Sequence, residues 1–258
     1  MILTRRCSLA GVQLDELDPR IVIRSIEPGT PRENVQAVNR MGYAGQRMTG
    51  QHWESLEAKV TYAIDIPKRN LAERREVIQM VNAWAMTKGY LRMTGMTDKR
   101  LYVDKVTLPD TGDLWDWTAE YTISFFAYNV PFWQDNTAAS MSTGTSAGTS
   151  KTIEVGGNVK TVLNATFQNK SGKTIKRFSI SAGGNTISLT GLTLSGNGKI
   201  EISHGNDGLL RITADGANVY SKYTGSDDLY VSPGSQTVSF TADRAGVLTA
   251  SCYGRWIG

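Results

Sequence analysis

The sequence predicts a mainly β protein with two domains, and three observations support this prediction. The chain has 258 residues, which is longer than a chain that folds around one small hydrophobic core usually is. Strict alternation of polar and apolar residues recurs along it, whereas helical periodicity is clear in a single segment. The composition changes after residue 134 to Ser, Thr, Ala and Gly, and then to short strands. We expect an α+β domain over 1–134, a flexible linker over 135–151 and a β-sandwich over 152–258.

Two segments of the first domain predict strands of an antiparallel sheet. In EAKVTYAIDIP, residues 57–67, every second residue is apolar, and Pro67 ends the pattern. In TAEYTISFFAY, residues 118–128, the alternation ends at Pro131 and carries bulky aromatic residues on both faces. We therefore expect this strand to be covered on both sides at its end, by the helix or by a neighbouring subunit.

A helix is predicted over about 71–87. Asn70 followed by Glu73 is typical of a capped helix start, and Leu71, Ile78, Val81 and Ala85 recur at helical spacing. Gly89 supplies a left-handed residue suited to the helix end. This helix is expected to pack on the strands.

Two turns are expected in the remainder of the first domain. Thr97–Lys99 is interpreted as a hairpin turn and Pro109–Asp113 as a second turn. The tract 136–150 that follows the domain has almost no large apolar residues, so we interpret it as a flexible linker.

The second domain shows short strands separated by Gly, Asn, Ser and Asp. Pro233–Gly234 is a strong turn signal between two of them. No helical segment interrupts the series, which is typical of a β-sandwich. The predicted strands are VKTVLNATFQN, IKRFSIS, NTISLT, KIEIS, LLRIT, LYVS, QTVSF and VLTASCYGRW.

The sequence offers little for catalysis or metal binding. Its two histidines, His52 and His204, belong to no metal-ligand motif, and we expect no metal, cofactor or catalytic residue. Asp227 with Asp228, or Asp113 with Asp116, could be the paired carboxylates of a glycosidase, but neighbouring acidic residues are common in turns. Cys252 alternates with apolar residues and is expected to be a small buried residue.

An aromatic cluster late in the second domain is the candidate contact site. Tyr220, Tyr223 and Tyr230 could stack on a sugar ring or anchor a protein partner, and Tyr253 and Trp256 lie nearby in sequence. Packing within the sandwich is the alternative interpretation.

The charge distribution argues against a protein built to grip nucleic acid or to span a membrane. The net charge is +4, and basic residues are scattered among carboxylates instead of being concentrated. No apolar run approaches the roughly 20 residues that a membrane-spanning helix needs. The N-terminal segment does not have the pattern of a signal peptide.

The order of these elements resembles the distal tail (Dit) proteins of siphophages. In the first domain the matching segments are EAKVTYAIDIP, LAERREVIQMVNAWA, YLRMTGMTDKRLYVDKVTL and WTAEYTISFFAYNVPFW. The last segment is similar to the closing strand of that family, although Val130 stands where an aromatic or acidic residue is typical. In the second domain, Leu229, Pro233 and Gly234 match the leucine and Pro-Gly signature of the family.

The resemblance implies a structural, non-enzymatic protein. It implies a homo-hexameric ring at the tip of a phage or prophage tail, assembled in the bacterial host cytoplasm, which joins the tail tube to the receptor-binding apparatus and lets DNA pass without specific binding. It also implies that the second domain is a galectin-like sandwich. The alternative function is a carbohydrate-binding module that contacts host surface sugars, for which His204, Asn206 and Arg211 form a loose candidate set. A third possibility is a polysaccharide-degrading tail enzyme.

Overall fold

The computed structural model describes residues 5–39, 46–66, 70–110 and 120–258. The chain divides into two compact units, one of Met1–Trp133 with Ile257–Gly258 and one of Gln134–Trp256. The described residues are mostly β-strand and contain one α-helix, which confirms the predicted mainly β fold class. That helix is too short and too polar to cross a bilayer.

The first unit consists of short antiparallel strands and the helix. Their bounds are β1 (Cys7–Leu9), β2 (Val12–Gln13), β3 (Ile21–Glu27), β4 (Glu33–Asn39), β5 (Gln46–Trp53), β6 (Leu56–Ile64), α1 (Leu71–Ala85), β7 (Gly89–Met93), β8 (Met96–Val103), β9 (Lys105–Thr107) and β10 (Glu120–Ala127). Strand β11 (Trp133–Asp135) begins at Trp133, where the chain passes from the first unit to the second.

These strands form two antiparallel sheets and one two-stranded ribbon. One sheet has the order β3-β6-β10-β9, and β1, β2, β7 and β8 pair in the order β2-β1-β7-β8. Strands β4 and β5 pair with each other as a separate ribbon. Helix α1 packs on the first sheet, where the rings of Trp84 and Phe125 meet edge to face at 6.1 Å between centroids.

The two strongest sequence patterns form the buried faces of neighbouring strands. On β6 every second residue is buried, from Leu56 to Ile64, and on β10 the buried residues run from Tyr121 to Ala127. The strands pair antiparallel, with Tyr62 opposite Tyr121. Alternation therefore predicted correctly which residues enter the core.

The helix begins as predicted and ends two residues early. The side chain of Asn70 accepts a hydrogen bond from the Glu73 backbone N–H at 3.3 Å, which caps the first turn. Helical geometry ends at Ala85. Residues that include Val77, Val81 and Trp84 form the buried stripe.

The predicted hairpin turn at Thr97–Lys99 is wrong. These three residues lie inside β8, and the turn consists of Thr94 and Gly95, because Met93 pairs with Met96. Gly95 has a φ of +94°, a conformation that glycine adopts without steric strain. Of the second predicted turn, Pro109 and Asp110 lie outside regular structure, and the rest, like Asp116, falls outside the described residues.

The second unit consists of β-strands joined by turns and one short 3-10 helix, Tyr220–Lys222. The strands are β12 (Ala139–Ser142), β13 (Ser146–Val155), β14 (Thr161–Val162), β15 (Asn164–Asn169), β16 (Ile175–Ala182), β17 (Asn185–Leu194), β18 (Lys199–His204), β19 (Leu210–Ala214), β20 (Ala217–Asn218), β21 (Tyr223–Gly225), β22 (Tyr230–Val231), β23 (Gly234–Cys252) and β24 (Arg255–Trp256).

One long strand, β23, joins the two halves of a curled antiparallel sheet. Its first half pairs with β13 and β16, and its second half pairs with β12 and β15. The apolar residues of both halves belong to one hydrophobic core, in which the rings of Phe167, Phe178 and Phe240 contact one another. This is the packing of a β-sandwich. The sequence predicts two strands, QTVSF and VLTASCYGRW, whereas the structure joins QTVSF and VLTASC in β23 and places Arg255–Trp256 in the separate strand β24.

The tract predicted as a flexible linker over 135–151 is ordered into strands. Residues Ala139–Ser142 form β12, and Ser146–Val155 form β13, and both pair with β23. Met141 is buried in the core of the second unit. The small polar residues of this tract cannot form a hydrophobic core of their own. Their backbone N–H and C=O groups instead hydrogen-bond to β23, whose apolar residues already belong to the core. The linker prediction is therefore wrong.

Candidate functional site

Two of the predicted contact residues, Tyr220 and Tyr223, lie against each other. Their ring centroids are 5.2 Å apart with an interplanar angle of 44°. Tyr220 begins the 3-10 helix and is 47% exposed, whereas Tyr223 is half-buried and its hydroxyl donates to the Ser226 carbonyl. The pair thus presents a partly fixed aromatic surface.

The third predicted residue, Tyr230, is connected to the same segment through Asp228. It lies on β22 opposite Val162 and is 40% exposed. Burial, together with the charge of Asp228 and a hydrogen bond to it, raises the pKa of Tyr230. Burial, and then Tyr220, Asp227 and Asp228, raise the pKa of Tyr223. The charge of Asp228 therefore acts on both Tyr223 and Tyr230.

Asp228 is held by a histidine that the sequence did not predict as its partner. Nε2 of His204, at the end of β18, lies 2.7 Å from Oδ1 of Asp228. Nδ1 of His204 lies 3.1 Å from Oδ1 of Asn164, which also accepts the His204 backbone N–H at 2.9 Å. The His204 side chain is only 3% exposed. No spacing in the sequence indicates this pair, because the residues lie on separate elements.

A buried guanidinium completes this polar cluster. Arg255, on β24, is 9% exposed, and its charge interacts with Asp228 and Tyr230. Burial lowers the pKa of Arg255. We call His204, Asp228, Asn164, Tyr230 and Arg255 the His204 cluster.

The loose carbohydrate-binding set of His204, Asn206 and Arg211 is not assembled on one face. Arg211 pairs with Ser203 across β18 and β19, and it shares the face of Ser203. His204 is the next residue and is buried against Asp228. Arg211 is itself bonded to Asp207. The two side chains therefore point to opposite faces of the sheet.

The remaining candidate residues make hydrogen bonds within the fold or are buried. Trp256 donates from Nε1 to Asp135 at 2.8 Å, and the Tyr253 carbonyl accepts from Thr161. Cys7 and Cys252 are free and buried, and burial raises the pKa of Cys7 to about 12 and that of Cys252 to about 11. Within the described ranges, no group of three or more His, Cys, Asp or Glu residues could hold a metal ion. The pair Asp113 and Asp116 lies outside those ranges.

In the first unit, the outer face of β10 carries a stacked aromatic pair. The rings of Phe126 and Tyr128 are nearly parallel, 5.9 Å apart, and Nζ of Lys105 lies 5.8 Å from the Phe126 ring. Tyr128 is 48% exposed. The inner face of β10 is buried, whereas Phe126 on the outer face is half-buried. Phe126 also lines a polar cleft of about 430 Å³ with Arg32, Glu54 and Glu57.

Comparison with known proteins finds similarity in structure but not in sequence. No protein-family model matches the chain, and no curated protein matches it. The crystal structure of the Dit (gp 19.1) protein of phage SPP1 superposes with a TM-score of 0.64 at 11% sequence identity, over 96% of this chain and 98% of that one.

Two structures of the phage p2 baseplate in its activated conformation, one with Sr and one with Ca, are also similar. Both have a TM-score of 0.43 and 11% identity, and they cover 95% and 96% of this chain and 97% and 98% of the baseplate chain. The superposition on the SPP1 Dit protein shows that the chain has the fold of that protein over nearly its whole length, which confirms at the level of fold the resemblance to the distal tail proteins.

Proposed function

We propose that this chain is a structural distal tail protein of a phage or prophage tail tip. It forms a homo-hexameric ring that joins the tail tube to the receptor-binding apparatus and lets DNA pass. The observation that carries the proposal is the fold shared with SPP1 Dit over 96% of the chain. That protein is described as a paradigm of the hub adsorption apparatus in phages that infect Gram-positive bacteria. Assembly in the host cytoplasm, followed by location in the virion, belongs to the same proposal.

The outer end of β10 fits a contact between copies of the chain. A stacked aromatic pair with one exposed ring is the kind of surface that protein interfaces bury, since aromatic residues are enriched there and contribute much of the binding energy. A ring requires a head-to-tail contact that closes on itself. We assign one side of that contact to Phe126, Tyr128 and Lys105.

The mass of the full-length chain in solution tests the ring. Light scattering is expected to give about six times the chain mass. Tyr128→Lys places a charge in the proposed contact and is expected to give single chains, whereas Tyr220→Lys, a matched change at an exposed tyrosine of the other unit, is expected to leave the ring intact. A wild-type mass of one chain at high concentration would count against a self-assembling ring.

The proposal includes no catalytic step. His204 is buried and bonded to Asp228, and the two thiols are buried with raised pKa values, so these groups are held away from solvent and from an incoming substrate. Inertness of the chain toward host cell-wall and capsule sugars is the expected result. Release of reducing sugar ends would contradict it.

We propose that Tyr220, Tyr223 and Tyr230 contact a receptor-binding or tail-tip protein. The exposed ring of Tyr220 against Tyr223 supports a contact surface, and the separation of His204 from Arg211 favours a protein over a sugar as the occupant. A glycan array probed with the full-length chain is expected to show no binding. Binding to a defined sugar that is lost in Tyr220→Ala would favour the carbohydrate-binding alternative.

A further inference from the structure

The exposed side of α1 carries an apolar stripe that begins with a carboxylate. Glu76, Met80 and Ala83 recur at i, i+4 and i+7, so they follow one line along the helix, and Met86 at the helix end borders that line. All four residues are exposed, Met80 to 37% and Met86 to 62%. We call these four residues the α1 stripe. The buried residues of α1 face the core of the unit, which leaves the stripe available to a partner.

The α1 stripe and the outer end of β10 lie on different sides of the first unit. Phe125, whose ring contacts Trp84 of α1, points to the inner face of β10, and the next residue, Phe126, points to the outer face. A head-to-tail contact joins two different surfaces of the chain, whereas a two-fold contact joins one surface to itself. Two such surfaces on one unit therefore suit a ring.

The charges at the two surfaces are complementary. Phe126 stands opposite Lys105 on β9 and opposite Glu57 on β6, so its ring has a cation on one side and an anion on the other. On α1, Arg75 and Glu76 are exposed at the start of the stripe and carry the matching pair of charges. Of these four charged residues, Glu57 alone has an ion-pair partner among the described residues. The other three can pair with a second copy at little cost.

The apolar groups of the two surfaces also match. Methionine sulfur packs favourably on aromatic rings, and both residue types are enriched at protein interfaces. Glu76 and Met80 are separated by a helical rise of about 6 Å. Nζ of Lys105 lies 5.8 Å from the Phe126 ring. One placement of the helix can therefore bring its carboxylate to the lysine and its methionine to the ring.

We propose that the other side of the ring contact is the α1 stripe of a second copy of the chain, whose methionines pack on the stacked rings of β10 while Glu76 pairs with Lys105. This inference rests on the proposed ring and adds the surface that each copy offers to its neighbour. The methionines and rings form the buried centre of the contact, and the ion pair lies at its rim, where charges set the orientation of the partner.

Exchanging the two charges tests the pairing. Light scattering on the full-length chain is expected to show loss of the ring in Lys105→Glu and in Glu76→Lys, because each change places like charges together. The double variant restores opposite charges and is expected to regain the mass of the ring. Asp65→Lys makes the same change at an exposed carboxylate of the same unit and is expected to keep the ring. Single variants that keep the ring, or a double variant that does not regain it, would overturn the pairing.

Cross-linking distinguishes a wrong contact from a wrong ring. A chain with both Met80→Cys and Tyr128→Cys has one new thiol on each surface. Cys7 and Cys252 are buried with raised pKa values, so a short bis-maleimide is expected to react only with the new thiols. The expected result is a ladder of covalent oligomers. Each single-cysteine chain, and Met80→Cys with Val35→Cys on the β4–β5 ribbon, is expected to give none.

The mass of the wild-type chain decides what a missing ladder means. If the wild-type chain forms the ring and the double-cysteine chain gives no ladder, the assignment of the α1 stripe is overturned and the ring stands. If the wild-type chain has the mass of a single chain, the ring and this inference are both overturned.

Discussion

At the scale of single residues, Arg20 shows how one side chain links the carboxylate of Asp18 to helix α1 in the first unit. Arg20 donates from Nε to Oδ1 at 2.8 Å and from Nη2 to Oδ2 at 2.7 Å, and its Nη1 reaches Oε2 of Glu73 in α1 at 3.2 Å. Asp18 is 8% exposed. The hydrogen bonds that Asp18 accepts from the side chain and the backbone N–H of Arg20 hold its pKa down to about 2.

Replacing this carboxylate is expected to have an effect that depends on pH. Asp18→Asn should lower the free energy of unfolding by about 1–3 kcal/mol at pH 7, because charged hydrogen bonds are lost. The folded-state pKa is lowered, so this contribution is present above the unfolded value near 3.9 and is lost as the pH falls toward 2. Urea unfolding of both proteins between pH 7 and pH 3 measures the difference.

The control for this series is Asp65→Asn, at an exposed carboxylate of the same unit, which is expected to change the unfolding free energy by less than about 0.5 kcal/mol. A difference between wild type and Asp18→Asn that stays constant down to pH 3 would show that the charge of Asp18 is not what stabilises the fold.

At the scale of elements, the ordered tract of the second unit gives the sharpest contrast between sequence and structure. Met141 lies in β12 and is 6% exposed, within the core that surrounds β23. Met141→Ala is therefore expected to cost about 2–5 kcal/mol, as large-to-small core changes do. A flexible linker would lose nothing. Thermal unfolding of the full-length chain measures the effect on the second unit.

A matched change in the same strand separates the loss of packing from other effects. Ser140→Ala alters an exposed neighbour of Met141 and is expected to leave the melting temperature almost unchanged. Equal, small effects of the two substitutions would indicate that the tract is a flexible linker.

Sequence patterns predicted the elements that bury their own side chains. Alternation in β6 and β10, and the cap and stripe of α1, depend on residues close in the chain, so local reasoning found them. Strand β13 could not be found in this way, because its exposed first residues are ordered by pairing with β23, far away in sequence. Alternation alone does not predict the continuity of β23, because its middle residues alternate poorly.

The candidate site was predictable only in part for the same reason. Aromatic residues close in sequence pointed to Tyr220 and Tyr223, which do contact each other. The contact of His204 with Asp228 joins the end of β18 to a loop 24 residues later, and only the fold brings these side chains together.

At the scale of the whole molecule, the proposed ring must let DNA pass without holding it. The net charge of +4 is small for the chain length, and acidic residues are interleaved with basic ones. We expect the full-length chain to bind duplex DNA no more tightly than about 100 µM at physiological salt, the weak end of non-specific binding. Fluorescence anisotropy measures this affinity, and salt-dependent binding in the micromolar range or tighter would contradict free passage.

The central claim is that the chain is a component of the tail tip, and immunogold electron microscopy tests it most directly. Particles produced from the genome that encodes the chain are labelled with an antibody raised against the full-length protein. The proposal predicts gold at the end of the tail that is distal to the capsid. Intact tails that carry no label, or that are labelled along the tube or at the capsid, would contradict it.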